Sequence, residues 1–458
     1  MEALLKIVQT VNLYLSDYIL IVLLVGTGLF YTIKTRFVQV RCFKEGIKSV
    51  FGGIFTKNKT GGISSFQALA TAVAAQVGTG NIVGASGAIL TGGPGALFWM
   101  WIIAFFGMAT IYAEAVLSQE TRKISPDGTV LGGPVYYIKR AFKGKFGSFL
   151  AGFFAIAIIL ALGFMGAMVQ SNSISSAMGT AFGIDGKIIG IVVAVCAGLI
   201  FLGGINRIAS VTEKMVPLMA IMYILGALVV LACRIKYIPE TFGMIFRYAF
   251  KPQAIIGGSL GMAIKTAISQ GVKRGLFSNE AGMGSTPHAH AIANVKKPHD
   301  QGVVAMIGVF IDTFVVLTMT GLIVVSTLYA GNGPLSANAV TGAAEGITKN
   351  NMVQLGMGLA VGNAQAANIF LSICLLFFAF STIISWNYFG KINATYLFGK
   401  KVVPVYMVIS LVFTFLGSVL SSDIVWELTD MFNQLMVLPN VIALWALSSI
   451  VAKAAKKK

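Results

Sequence analysis

The sequence predicts an all-α polytopic membrane protein with about 11 transmembrane helices. Three observations lead there. Of 458 residues, 56% are hydrophobic and only 11% charged, whereas a soluble domain carries about 25% charged residues to cover its surface. The apolar residues fall in long runs, and about 20 of them suffice to cross a bilayer as a helix. The basic residues collect in alternate loops, as they do on the cytoplasmic side of membrane proteins.

The segments expected to span lie at 16–34, 66–90, 95–118, 149–178, 187–204, 214–233, 256–290, 302–330, 365–388, 402–420 and 430–451. The first fifteen residues, with Leu4, Leu5, Ile7, Val8 and Val11, read as a short amphipathic helix along the interface. The start "MEALLKIVQT" lacks a basic region, so no cleavable signal peptide is expected. Residues 234–255 are amphipathic and expected to cap the outer face, and 331–362 form the longest outer loop. Cys42, Cys196, Cys233 and Cys374 share no metal-ligand spacing and read as packing residues or thiols.

With the N-terminus outside, 24 of the 34 Lys and Arg fall in inner loops or the C-terminal tail, and seven fall outside. Lys265, Lys273 and Arg274 belong to the seventh segment. The net charge of +18 is thus the signature of a plasma-membrane protein with a cytoplasmic C-terminus, and not of a nucleic-acid binder.

Two segments are interrupted. The second contains "AAQVGTGNIVGAS" (74–86), the seventh "SQGVKRGLFSNEAGMG" (269–284). Bare backbone at membrane depth is tolerated only where it lines a cavity or holds a ligand. Glycine permits the unwinding, exposed amides at a half-helix start favour a carboxylate, and freed carbonyls favour a cation. Paired interruptions five segments apart point to an inverted-repeat transporter. The bland alternative is a small-residue packing seam, and Gly80 and Gly84 have that spacing. Asn81 within the run and the second break favour a binding site.

"VGTGNIVG" resembles the first core helix of the LeuT-type transporters. "GGPGALFWMWIIAFFG" (92–107) and "GLFSNEAGMGSTPHAHA" (275–291) resemble the diagnostic stretches of the alanine/glycine:cation symporter family, and the resemblance covers essentially the whole chain. It implies an N-terminal segment (1–62) with one extra helix, a first five-helix repeat (63–235), and an outer amphipathic stretch with a second, inverted repeat (236–458). It implies Na⁺ as the co-transported ion, held by the carbonyls of Ala74, Val77 and Phe378 and the hydroxyls of Ser381 and Thr382. The substrate, alanine or glycine, would meet the amides of Thr79 and Gly80 through its carboxylate. Its ammonium would meet the carbonyl of Gln76 and oxygens near Ser269 and Gly271. Gln170 and Asn172 would line the pocket, although the tyrosine some LeuT-type members use on that segment is missing. Asn81 serves a second cation or caps the restarted half-helix, and both readings stay open.

Asp312, within the eighth segment, costs about 2.5–3.5 kcal/mol on insertion scales. It is expected to bind a cation, to titrate, or to pair with a basic residue such as Lys265. Glu280 is expected to cluster with Lys273 and Arg274 near the inner mouth. His288, His290 and His299 read as loop histidines without metal-ligand spacing. No nucleotide-binding motif and no catalytic constellation is visible. The expected function is Na⁺-coupled uptake of alanine or glycine by alternating access. An H⁺-coupled or differently selective carrier of the same fold is the alternative, and a channel a weaker one.

Overall fold

The computed structural model describes residues 2–54, 62–126, 128–251, 260–336, 344–420 and 422–456. They are almost entirely helical. A long first helix, α1 (Leu5–Lys34), leads to α2 (Phe43–Ile54). The broken pair α3 (Ser65–Gln76) and α4 (Gly80–Gly92) follows, bent by 47°. Next come α5 (Gly95–Thr121), α6 (Pro134–Ala141), α7 (Gly144–Phe182), α8 (Gly186–Leu202), α9 (Gly204–Cys233) and α10 (Ile238–Phe250). The second half holds α11 (Leu260–Asn279), the short α12 (Pro287–Ala291), α13 (Pro298–Tyr329), α14 (Met352–Val361) and α15 (Ala364–Phe398). It closes with α16 (Val403–Val419) and the bent pair α17 (Ile424–Ala446) and α18 (Ser448–Lys456).

Among the described residues, seven helices are long and apolar enough to span a membrane, or nine if each bent pair is one span. The expected fifth and seventh segments are helices of 17 and 20 residues. The expected start of the seventh, at 256, lies outside the described residues. The N-terminal helix is not a separate interfacial element. It continues through a π-turn at Leu15–Leu20 into the first span, because Val8, Leu15 and Leu20 are buried and Asn12 donates to Glu427 Oε2 on α17 at 2.6 Å.

Burial sorts the helices. Two thirds of the apolar window is buried in α5 and in α13, against 28% in α9 and in α16. The peripheral helices turn Ile188, Val192, Val195, Leu218, Ile221, Leu225, Val405 and Val408 outward, as lipid-facing helices do. One face gathers the basic loops: Arg41 on the turn after α1 donates to Ala455 O on α18, Asn294 N to Ile63 O, and Arg122 to Ala291 O and Ala293 O. On the other face Arg234 donates to Ser326 O at 2.9 Å and Gln365 to Ala181 O at 2.8 Å.

The half-helix α4 runs antiparallel along α11. A Cβ on Gly80 would meet Phe277, one on Gly84 Arg274, and one on Gly92 Ala267 and Gln270. The second interruption lies C-terminal to where the sequence pattern centred it. α11 is unbroken through 269–279, and the chain leaves it at Glu280 (φ 58°), Gly282 (φ 93°) and Gly284 (φ 80°). These left-handed residues forbid helix and set the path to α12.

Candidate functional site

A capping box starts α3: Ser64 Oγ accepts from Gln67 N and Gln67 Oε1 from Ser64 N, both at 3.0 Å. Eleven residues on, the ladder fails. In an unbroken helix Gly78 N would serve Ala74 O, and Asn81 N would serve Val77 O. Here Gly78 N goes to Gln76 O (3.0 Å) and Asn81 Oδ1 (3.1 Å), and Asn81 N to Gly78 O (3.2 Å). Both carbonyls lose their helical donors.

The middle of α15 meets one of them. Thr382 Oγ1 lies 2.9 Å from Ala74 O and 3.0 Å from Phe378 O. Ser381 Oγ lies 3.3 and 2.9 Å from the same two oxygens. Four of the five oxygens expected for a cation therefore converge, all on buried residues. Val77 carries the fifth expected carbonyl and ends α3 with φ −80° and ψ 84°. Gly78 is in direct reach of the cluster: a Cβ there would sit 2.5 Å from Thr382 Oγ1.

A second polar knot joins α4, α11 and α13. Asp312 lies in a π-helical stretch of α13, Phe310–Leu317, a distortion common at functional sites. The carboxylate is fully buried. It accepts from Asn81 Nδ2 at 2.6 Å, Ser278 Oγ at 2.9 Å and Thr313 Oγ1 at 2.9 Å. All three are neutral. Lys265, the partner the sequence suggested, instead donates to Tyr18 OH at 3.1 Å at an exposed position. Asn279 extends the knot, with its amide 3.3 Å from Thr313 Oγ1 and its carbonyl accepting from Gln76 Nε2 at 2.7 Å.

Gln170 on α7 reaches the first break, where its Oε1 accepts from Thr79 N at 3.2 Å. Among the described residues, Gln170 Nε2, Thr79 Oγ1 and Gln76 Oε1 are buried atoms without a hydrogen-bond partner, which is unusual. Gly80, beside them, packs under Phe277, whose Cδ1 a Cβ would approach to 2.9 Å. Asn172 does not join this group. Two residues along a helix is about 200° around it, and its amide donates to Gly417 O and Leu420 O, at 3.0 and 2.9 Å.

Ser269 and Gly271 are not brought to the site either. They lie within unbroken α11, about 15 and 12 Å along the axis from Asn279 at 1.5 Å per residue. Gly271 is a packing seam, since a Cβ would come 2.6 Å from Trp99 Cβ on α5. The second break is served by the protein itself. Glu114 on α5 accepts from Gly282 N at 3.0 Å and Gly284 N at 2.9 Å, and Asn440 on α17 donates to Glu114 and to Gly282 O. Glu280 does not pair with Lys273 and Arg274. It accepts from Trp386 Nε1 and Ser285 Oγ, each at 2.5 Å, while both cations bind Asp430 on α17, at 2.8 and 3.0 Å. The three histidines are buried rather than in loops; His288 stacks on Phe154 and Phe389.

The sequence reading missed Ser278, Asn279 and Thr313, as well as Glu114, and it took Gly78 as part of the break without its contact to Thr382. Ser278 and Asn279 stand in the quoted "GLFSNEAGMG", immediately before the left-handed turn. That Ser-Asn pair ahead of Gly-x-Gly was the available signal.

A family model described as "Sodium:alanine symporter family" matches residues 1–457. The sodium/alanine symporter AgcS of Methanococcus maripaludis is 40% identical over 455 residues, 98% of this chain and 96% of that protein. The probable sodium/glutamine symporter GlnT of Bacillus subtilis is 38% identical, over 98% and 90% of the two chains. The crystal structure of MhsT in complex with L-phenylalanine superposes with a TM-score of 0.56 at 14% identity, covering 85% of this chain and 96% of that one. The fold is that of the LeuT-type transporters.

Proposed function

Because the chain belongs to the sodium:alanine symporter family, and is thus an amino-acid transporter of the membrane and not an enzyme, we propose that it couples inward Na⁺ flow to uptake of alanine or glycine. The observation that carries this reading is the oxygen cluster at the first break. Ala74 O, stripped of its helical amide, faces the paired hydroxyls of Ser381 and Thr382 and the carbonyl of Phe378. Hard cations take such neutral oxygens, and Val77 O completes the set.

The Asp312 knot is a second cation position, with Ser278 Oγ and Thr313 Oγ1 beside the carboxylate and the Asn81 side chain, which donates to the carboxylate through Nδ2, able to turn its Oδ1 toward an ion. A bound cation would compensate a buried charge that otherwise has only neutral partners. The substrate fits where Thr79 Oγ1, Gln170 Nε2 and Gln76 Oε1 are unpartnered. Its carboxylate takes the donors near Thr79 and Gly80, and Phe277 over Gly80 keeps the side chain small. The antiparallel run of α4 along α11 supports two inverted repeats, 63–235 and 236–458. The basic loops support a plasma-membrane orientation with α2, α6 and the C-terminus in the cytoplasm and the N-terminus outside.

Asp312 also favours a second reading, in which a proton replaces one Na⁺. Counterflow in proteoliposomes separates them. Labelled alanine should enter only with Na⁺ present, at a rate independent of an imposed pH gradient, with glycine competing and glutamine not. Na⁺-independent counterflow that follows the pH gradient overturns Na⁺ coupling. Competition by glutamine overturns the small-substrate assignment.

A further inference from the structure

We propose that Cys42, Glu45 and His299 form a binding site for a transition-metal dication, Zn²⁺ by ligand type, on the basic face of the transporter. The site is separate from the transported ions. Cys42 ends the four-residue turn Val38–Arg41, Glu45 lies in the first turn of α2, and His299 in the first turn of α13. One ligand atom from each, the Cys42 sulfur, a Glu45 oxygen and a His299 ring nitrogen, can be chosen so that all lie within 4.8 Å of one another. His299 Nε2 is 3.4 Å from Glu45 Oε1.

The surroundings suit a metal better than a bare polar contact. The other imidazole nitrogen, Nδ1, is held by Tyr112 OH on α5 at 2.7 Å. A hydroxyl can donate or accept, so Tyr112 OH can accept a hydrogen bond from Nδ1–H, the tautomer that leaves the Nε2 lone pair for a metal. Such an outer hydrogen bond is what orients metal-bound histidines. A thiolate and a carboxylate bring two negative charges to a dication, and binding releases the thiol proton of Cys42. Sulfur with imidazole selects Zn²⁺ over Mg²⁺ or Ca²⁺. Cys42 and His299 are buried, and Glu45 is 46% exposed, which gives an entry path and a fourth position open to water. The frame is stiff. Gly46 lets α2 press on α13, since a Cβ there would lie 2.6 Å from Val303 O. Metal binding would therefore pin α2 to the helix that carries Asp312.

The test is titration of the purified, metal-stripped full-length protein with Co²⁺. A near-ultraviolet thiolate-to-cobalt charge-transfer band should saturate at one Co²⁺ per chain and disappear when Zn²⁺ is added. Cys42→Ser should remove the band. Cys196→Ala with Cys233→Ala should leave it, and Glu45→Gln, at an exposed position that folding tolerates, should weaken Co²⁺ binding at least tenfold. Wild-type protein without the band, or a band that survives Cys42→Ser, overturns the site. Unchanged affinity in Glu45→Gln overturns the three-ligand assignment.

Discussion

Gly78 is the residue at which the candidate ion site and the backbone are one object. A methyl group there would meet Thr382 Oγ1 at 2.5 Å, so Gly78→Ala must push the hydroxyl off Ala74 O. Losing one such contact is worth about 1–1.5 kcal/mol, or about tenfold. We expect the half-saturating Na⁺ concentration for alanine uptake to rise by about that factor, and Thr382→Ala to give a similar rise. An unchanged value in both places the ion elsewhere. Asp312→Asn keeps the shape and removes the charge. With charge-assisted contacts worth about 1.5–3 kcal/mol, Na⁺ dependence should weaken about ten- to a hundredfold, measured as Na⁺-dependent alanine binding to purified protein. The first break was legible because Asn81 and two glycines interrupt an otherwise apolar helix, and the hydroxyl pair because "FFAFSTIIS" places Ser381 and Thr382 side by side. Asp312 showed itself by its charge. Its true partners did not, because Asn81, Ser278 and Thr313 come from three different elements that only the fold assembles.

At the scale of elements, the second interruption shows what glycine spacing conceals. Gly271 and Gly275 suggested unwinding, yet both let α11 lie close on α5, against Trp99 and Ile103. The actual break starts at a non-glycine, Glu280, whose left-handed backbone no propensity rule anticipates. For that reason the structure sets Ser269 and Gly271 apart from the residues gathered at the first break. Gly271→Val should therefore act on stability, with overpacking costing about 1–3 kcal/mol. The thermal midpoint of the purified protein should fall, while the fraction that remains folded keeps its alanine affinity. Loss of alanine affinity at an unchanged midpoint would return Gly271 to the binding site. The freed amides of the break are answered by Glu114 from α5. A helix chosen for burial thus also supplies the polar group its neighbour lacks, and hydropathy alone does not disclose the pairing.

For the whole molecule, the class, the broken second segment and the clustering of basic loops followed from composition and charge. The count of spans did not, since helices such as α8 and α11 are too short or too polar to pass as isolated segments. The expected orientation is directly testable. A cysteine placed at Lys453, on α18, in a background lacking the native exposed thiols, should resist impermeant maleimide in intact cells and react after permeabilisation. One placed at Lys236 should react from outside. The reverse pattern would invert the topology. The length of α15 has a mechanical consequence. This single 35-residue rod holds Ser381 and Thr382 near its middle, and Phe398 at its end lies 17 residues further on, about 25 Å away. A tilt of about 10° pivoting on the hydroxyl pair swings that tip by about 4 Å. A cation held by that hydroxyl pair would sit at the fulcrum of this lever, so a small readjustment there would become a displacement of several ångströms at the basic face.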